Sequence, residues 1–163
     1  MTTNVDRYWK QYLESLPDDA PHPSTYAEPF SFGSNPDSAS KISRLVIMGI
    51  KAATGSLKWT YEAAEQPEPQ VGDFSVVTNG GDDPVCIIET TEVKIIPFDE
   101  VGEDYALDGG EGDRTLEYWR TIYWSHILAE CATIGRDPSH EAPLIMERFR
   151  AVYVEPLADN PDV

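Results

Sequence analysis

The stretch "VGDFSVVTNGGDDPVCIIETTEVKIIPF", residues 71–98, constrains the fold most. Two runs rich in β-branched residues flank a Gly-Gly-Asp-Asp turn, where glycine and aspartate accept backbone angles that the flanking residues resist. A β-hairpin with a long second strand is the expected result.

Around that hairpin the hydrophobic period changes from two to three and four. Val5, Tyr8, Trp9, Tyr12, Leu13 and Leu16 form the stripe of an amphipathic helix that packs on a core. The run "LPDDAPHPSTYAEPFSFGSNP" is loaded with turn formers and reads as an irregular crossing anchored by Tyr26, Phe30 and Phe32. Asn35 or Asp37, on either side of Pro36, is placed to cap a helix through "DSASKISRLVIMGI", with Ile42, Leu45, Val46 and Ile50 inward and Gly49 at its fraying end. "AATGSLKW" reads as a short strand, and "TYEAAEQ" as one or two helical turns before Pro67 and Pro69. Lys51 therefore falls at a helix-to-strand junction.

After the hairpin, "DEVGEDYALDGGEGDRTL" is an acidic, glycine-rich loop that ends where Asp113 or Thr115 can cap the next helix. That helix, "LEYWRTIYWSHILAEC", carries Trp119, Ile122, Tyr123, Ile127 and Leu128 at helical spacing. A last strand follows in "LIMERFRAVYVEP", and residues 157–163 read as a frayed tail. Strands interleaved with single helices, without regular βαβ spacing, predict an α+β domain over residues 1–156 built on a small, mostly antiparallel sheet or barrel. A chain of 163 residues is long enough for one such core.

Twelve lysines and arginines against 29 acids give a formal charge of −17. Long duplex DNA is an unfavourable partner for such a surface, because phosphates are repelled at long range. Cys86 and Cys131 are far apart and lack C-x-x-C spacing, so reduced, partly buried thiols are expected, with neither zinc nor a disulfide. His22, His126 and His140 show no ligand spacing, and no metal or other cofactor is expected. No apolar run approaches the roughly 18 residues of a membrane span. The N-terminus has no apolar signal segment, which leads to the expectation of a cytoplasmic protein.

"FSFG", a helix into "LVIMGIKAATGSL", then "VGDFSVVTNGGDDPVCIIETTEV", "PFDEV", "GEGDRTLEYWR" and "ERFRAVY" follow one another in a familiar order. Together, from about residue 8 to 154, they resemble the ASCH domain, a family with a PUA-like fold. The resemblance implies a small β-barrel with helices packed around a cleft. It also implies RNA or a small, modified nucleoside as ligand. ASCH proteins are linked to RNA binding, coactivator complexes, ribonuclease activity and, in a shorter branch, hydrolysis of N4-acetylcytidine. The G-x-K-x-x-T-x-S pattern of the family maps onto Gly49, Lys51, Thr54 and Ser56. The catalytic trio of the amidohydrolase branch carries over to Lys51, Thr54 and Glu111. Gly49, Ser56, Trp59, Tyr61, Asp113 and Arg120 are the implied ligand-binding positions. The chain departs from the pattern at Gly109, where longer members carry a first glutamate, at Tyr123, where a histidine is common, and at Ser56, an arginine in the short hydrolase branch.

Hydrolysis needs a nucleophile, a proton acceptor and a group that stabilises developing negative charge. A neutral lysine amine beside Thr54 can act as base, whereas a carboxylate close to that amine favours its protonated form. If Lys51 is purely functional, replacing it abolishes activity with little effect on the melting temperature. The same residues have plainer roles: Lys51 as a cation at a helix C-terminus, Thr54 and Ser56 as strand formers, Glu111 as solvated surface, and Trp59 and Tyr61 as core or as a base-stacking platform. The function classes that remain are a hydrolase acting on RNA or a nucleoside, a non-catalytic RNA- or nucleotide-binding regulatory module, and an acidic protein–protein interaction domain.

Overall fold

Thr3 opens the first helix with a reciprocal cap: its hydroxyl accepts the Asp6 N–H at 3.0 Å, and Asp6 takes the Thr3 N–H at 3.0 Å. In the computed structural model, which describes residues 2–159, this helix, α1, spans Asn4–Ser15. The elements that follow are β1 (Ala27–Ser31), α2 (Pro36–Ile47), β2 (Ala53–Leu57), α3 (Lys58–Ala64), β3 (Phe74–Thr78) and β4 (Pro84–Pro97). A short 3-10 turn at Phe98–Glu100 leads to α4 (Glu103–Gly109), α5 (Leu116–Ile134) and β5 (Pro143–Tyr153).

The chain divides into two compact units. The first comprises the chain up to Gly49, Gly72–Glu89 and the chain from Arg150 on; the second comprises Ile50–Val71 and Thr90–Phe149. In the first unit β3 pairs antiparallel with β4, Val76 opposite Ile87 and Val77 opposite Cys86, as the hairpin pattern predicts. The stripe of α1 buries Tyr8, Trp9 and Tyr12 against Val76 and Ile87. Asn35 caps α2, accepting the Ser38 N–H at 2.9 Å, and Pro36 stands in the first turn, where a missing N–H costs nothing. One strand here departs from expectation. Ala27–Ser31 forms β1, parallel to β3, inside the segment that reads as an irregular crossing.

In the second unit the strands are ordered β4, β5, β2, with β2 and β5 antiparallel: Ala53 opposite Arg148, Thr54 opposite Glu147, Gly55 opposite Met146 and Ser56 opposite Ile145. Side chains alternate across a strand. Ala53 and Leu57, with Leu144 and Met146 on β5, enter a core that α5 completes with Trp119, Tyr123, Ile127 and Cys131. These four recur every fourth residue; Leu128 is exposed. The acidic loop departs from expectation too, because Glu103–Gly109 folds as α4 and buries Tyr105 and Ala106. Thr115 caps α5, and Asp113 in turn accepts the Thr115 N–H and hydroxyl.

Both cysteines are free and buried, more completely than expected for Cys86 and Cys131 from sequence. Of the expected tail, residues 160–163 lie outside the described residues. Leu157 packs on the α1 cluster, and the Ala158 N–H donates to Gln11 Oε1 at 2.8 Å.

Candidate functional site

The last carbonyls of a helix have no partner within it. At the C-terminus of α4 the segment after Ile50 supplies the partners. The Ala52 N–H donates to the Asp108 carbonyl at 2.7 Å, and Lys51 Nζ donates to the Gly109 carbonyl at 3.3 Å. Nζ also lies 3.1 Å from Glu111 Oε2, with the lysine side chain 1% and the glutamate 24% exposed. The cation thus closes a helix C-terminus, as the plainer reading of Lys51 holds, but the helix is α4 rather than α2.

Gly110 makes this approach possible. Its φ of +71° lies in the left-handed region, and a Cβ there would stand 2.6 Å from the Ile50 carbonyl oxygen and 2.9 Å from the Lys51 nitrogen. The loop "GGEGD" is therefore a clasp around Lys51: one carbonyl, one tight glycine and one carboxylate. A cavity of about 10 Å³, room for a single water, borders the clasp between Glu111, Trp119 and Tyr123.

Thr54 and Ser56 lie on the opposite face of β2 from Ala53 and Leu57. The β2–β5 register sets Thr54 beside Glu147, whose Oε1 accepts the buried Thr90 hydroxyl at 3.3 Å. Ser56 lies close enough to Tyr61, on α3, to act on its phenol. Burial pushes the Tyr61 phenol up, Ser56 opposes this, and Glu147, Glu130 and Glu68 add to the rise. Burial likewise raises the Glu130 carboxyl, against the Thr60 hydroxyl at 3.4 Å and His126.

The remaining expected positions scatter. Trp59 packs on the core of the second unit and carries the Arg136 guanidinium 3.7 Å from its ring centroid. Asp113 is a cap, its carboxyl held below the usual range by the Thr115 hydroxyl and N–H. Arg120 is exposed on a groove of about 450 Å³ with Phe98, Asp99, Thr121, Trp124 and His140. Gly49 belongs to the first unit, where it follows α2 at φ +76°. Among the described residues no three His, Cys, Asp or Glu side chains gather as a metal-binding group, and no helix is long and apolar enough to cross a membrane.

A family model of the ASCH domain matches residues 28–153. The chain belongs to the ASCH-domain family. Its α+β, PUA-like fold is of a kind often linked to RNA binding. An ASCH domain from Lactobacillus crispatus JV V101 is similar in structure, with a TM-score of 0.87, 31% identity, and coverage of 92% of this chain and 94% of that one. A protein from Enterococcus faecalis V583 is also similar, with a TM-score of 0.81 and 27% identity over 94% of this chain and 91% of that one. No curated protein matches the chain at a significant level.

In this ASCH chain the structure joins Lys51 to Glu111, the glutamate of the "GGEGD" loop, and sets Thr54 opposite Glu147 instead. Tyr123, where a histidine is common in the family, offers its phenol oxygen to the Gly55 N–H at 3.1 Å. Sequence reasoning passed over Glu147 and Glu130. The signal for Glu147 is an acid that directly follows the apolar run "LIM" in the last strand.

Proposed function

We propose that the protein binds a nucleoside, or one nucleotide of a short single-stranded RNA, beside the Lys51–Glu111 pair. The buried ion pair carries this reading. Removing a lysine from water costs several kcal/mol, and apolar residues of similar size are often as stable in such a place. Closing a helix C-terminus with a cation returns about 0.3–1 kcal/mol, too little to offset that cost. A charge retained against such a balance is a functional candidate. Membership of the ASCH family supports the choice of ligand, and the charge of −17 favours a small or short one over a long polyanion.

Turnover is a second reading, favoured by the Thr54 hydroxyl on a half-buried strand face with a carboxylate opposite. In amide hydrolysis of the N4-acetylcytidine type, the C–N bond breaks, the acyl carbon gains the oxygen of water and the amine gains a proton. A phosphodiester would be split by the corresponding attack at phosphorus. Lys51, already donating to a carbonyl and a carboxylate, suits stabilisation of negative charge better than proton abstraction.

A thermal-shift screen with cytidine, N4-acetylcytidine and short RNAs tests binding. A ligand at a hundred times its Kd adds about 2.7 kcal/mol to the folded state, a clear rise in melting temperature. Chromatography of the incubated ligand then separates a hydrolase from a non-catalytic binding module. A melting temperature unmoved by every nucleoside and RNA would reject the reading in favour of an acidic protein–protein interaction domain.

A further inference from the structure

Three segments of the second unit enclose the groove that carries Arg120. Arg120, Thr121 and Trp124 stand on one flank of α5, Phe98 and Asp99 on the short 3-10 turn, and His140 in the connection to β5. The turn and the connection are tied together: the Phe98 N–H donates to the Ala142 carbonyl and the Asp99 N–H to the His140 carbonyl, each at 2.9 Å. Phe98 is buried and gives the groove a packed wall. The exposed His140 stacks on Trp124 with centroids 4.0 Å and planes 12° apart, which uses one face of the imidazole. Phe98 meets the same imidazole at 6.0 Å and a tilt of 35°, so no second ring lies flat on it among the described residues.

The groove also carries two opposite charges that do not neutralise each other. Arg120 and Asp99 both line it and both are exposed, and among the described residues neither side chain is ion-paired or hydrogen bonded, to the other or elsewhere. Arg148 and Arg150 behave differently, the first paired with Glu92, Asp104 and Asp108, the second with Glu89. A ligand with a single charge would satisfy one of the two groups and be repelled by the other. A phosphate would also meet the field of a chain at −17, whereas a zwitterion has no net charge for that field to repel. A guanidinium holds a carboxylate through a two-bond fork, and a carboxylate accepts the N–H bonds of an ammonium. The open face of the imidazole is matched to a flat ring. At about 450 Å³ the groove falls within the roughly 300–1,000 Å³ of small-molecule sites.

We propose that this groove is a second site, which binds a free aromatic amino acid with its carboxylate on Arg120, its ammonium on Asp99 and its ring on the open face of His140. The α5 residues that line it are not Trp119 and Tyr123, which border the Lys51–Glu111 clasp. The inference therefore stands apart from the nucleoside reading.

Titration of the isotope-labelled whole chain with L-tryptophan, tryptamine and indole-3-propionate tests the assignment, followed at the amides of Thr121 and His140 and at the indole N–H of Trp124. Tryptamine lacks the carboxylate, and indole-3-propionate lacks the ammonium. The wild-type protein binds L-tryptophan about threefold or more tightly than either analogue, the scale of an exposed charge pair. Arg120→Gln removes the preference over tryptamine and keeps that over indole-3-propionate, and Asp99→Asn does the reverse. His140→Ala weakens all three compounds. These three side chains are exposed, so the variants keep the fold. Equal affinity of the wild-type protein for the three compounds overturns the proposal. So does a preference that survives both charge substitutions, or the absence of any shift at these resonances with millimolar L-tryptophan. Shifts at Lys51 and Glu111 with cytidine bear on the nucleoside reading alone, so the failure of one reading is distinguishable from the failure of the other.

Discussion

Lys51 Nζ and Glu111 Oε2 stand 3.1 Å apart, with the lysine side chain almost wholly removed from solvent. Breaking such a pair from one side leaves an uncompensated charge, at a cost of about 3–5 kcal/mol. Lys51→Ala is therefore expected to lower the unfolding free energy by about that amount, contrary to the small effect expected of a purely functional lysine. The double substitution Lys51→Met, Glu111→Leu should recover a large part of it. Urea titrations of the two variants measure both quantities, and equal losses in the single and double variants would contradict the account of the pair.

Gly110 and Gly49 share a left-handed backbone and differ in their surroundings. A Cβ at Gly110 meets the Ile50 carbonyl at 2.6 Å, while one at Gly49 meets nothing within 4 Å. Gly49→Ala should cost about 1 kcal/mol, the backbone penalty alone. Gly110→Ala should exceed that by about 1–3 kcal/mol, since the loop must move away from Lys51. Chemical denaturation of the two variants gives the comparison, and equal costs would show that the clasp yields without effort.

The Tyr26 hydroxyl donates to Asp6 Oδ1 at 2.5 Å. The Asp6 carboxyl is pulled from 3.8 to about 2, first by that bond and then by the Thr3 N–H and hydroxyl. Tyr26 is pushed from 10.0 to about 12, first by the same bond and then by burial. The stability Asp6 contributes is complete above its unfolded value near 4 and is lost as the pH falls through 2. The contribution from Tyr26 is complete below pH 10 and is lost as the pH rises through 12. Tyr26→Phe should abolish the alkaline loss and shrink the acid one, as read from melting temperatures between pH 2 and 5 and above pH 9.

Neither thiol should label in the native state. Burial raises the Cys86 thiol to about 12 and moves Cys131 in the same direction. Only a thiolate reacts readily. A colorimetric thiol assay at pH 8 should report almost no reaction before denaturant is added and two thiols per chain afterwards. Rapid labelling of either cysteine in the folded protein would contradict its placement.

Much of this architecture was legible because the signals were local. The hairpin follows from β-branched runs around Gly80 and Gly81, α1 from its stripe, and α2 from Asn35 and Pro36. The elements that escaped are those whose evidence is tertiary. Pro29 interrupts the run that becomes β1, all five of its residues are exposed, and only pairing with β3 makes it a strand. The seven residues of α4 are too few to show a period, and what holds them is the burial of Tyr105 and Ala106 and the closure by Lys51 and Ala52. At the candidate site the same limit applies. The resemblance to the ASCH family singled out Lys51 and Glu111, but the burial of the lysine depends on Gly110, and the pairing of Thr54 with Glu147 depends on a register set 93 positions apart in the chain.

Amide chemical-shift mapping of the labelled protein with a nucleoside and with a short single-stranded RNA tests the central claim most directly, since it needs no variant that might fail to fold. Titration with cytidine should move the amides of Lys51, Thr54, Ser56, Tyr61 and Glu111 in a saturable way, with those of α1 unchanged. Shifts confined to other residues, or no shifts with any nucleoside or RNA at millimolar concentration, would contradict a ligand site at the Lys51–Glu111 pair.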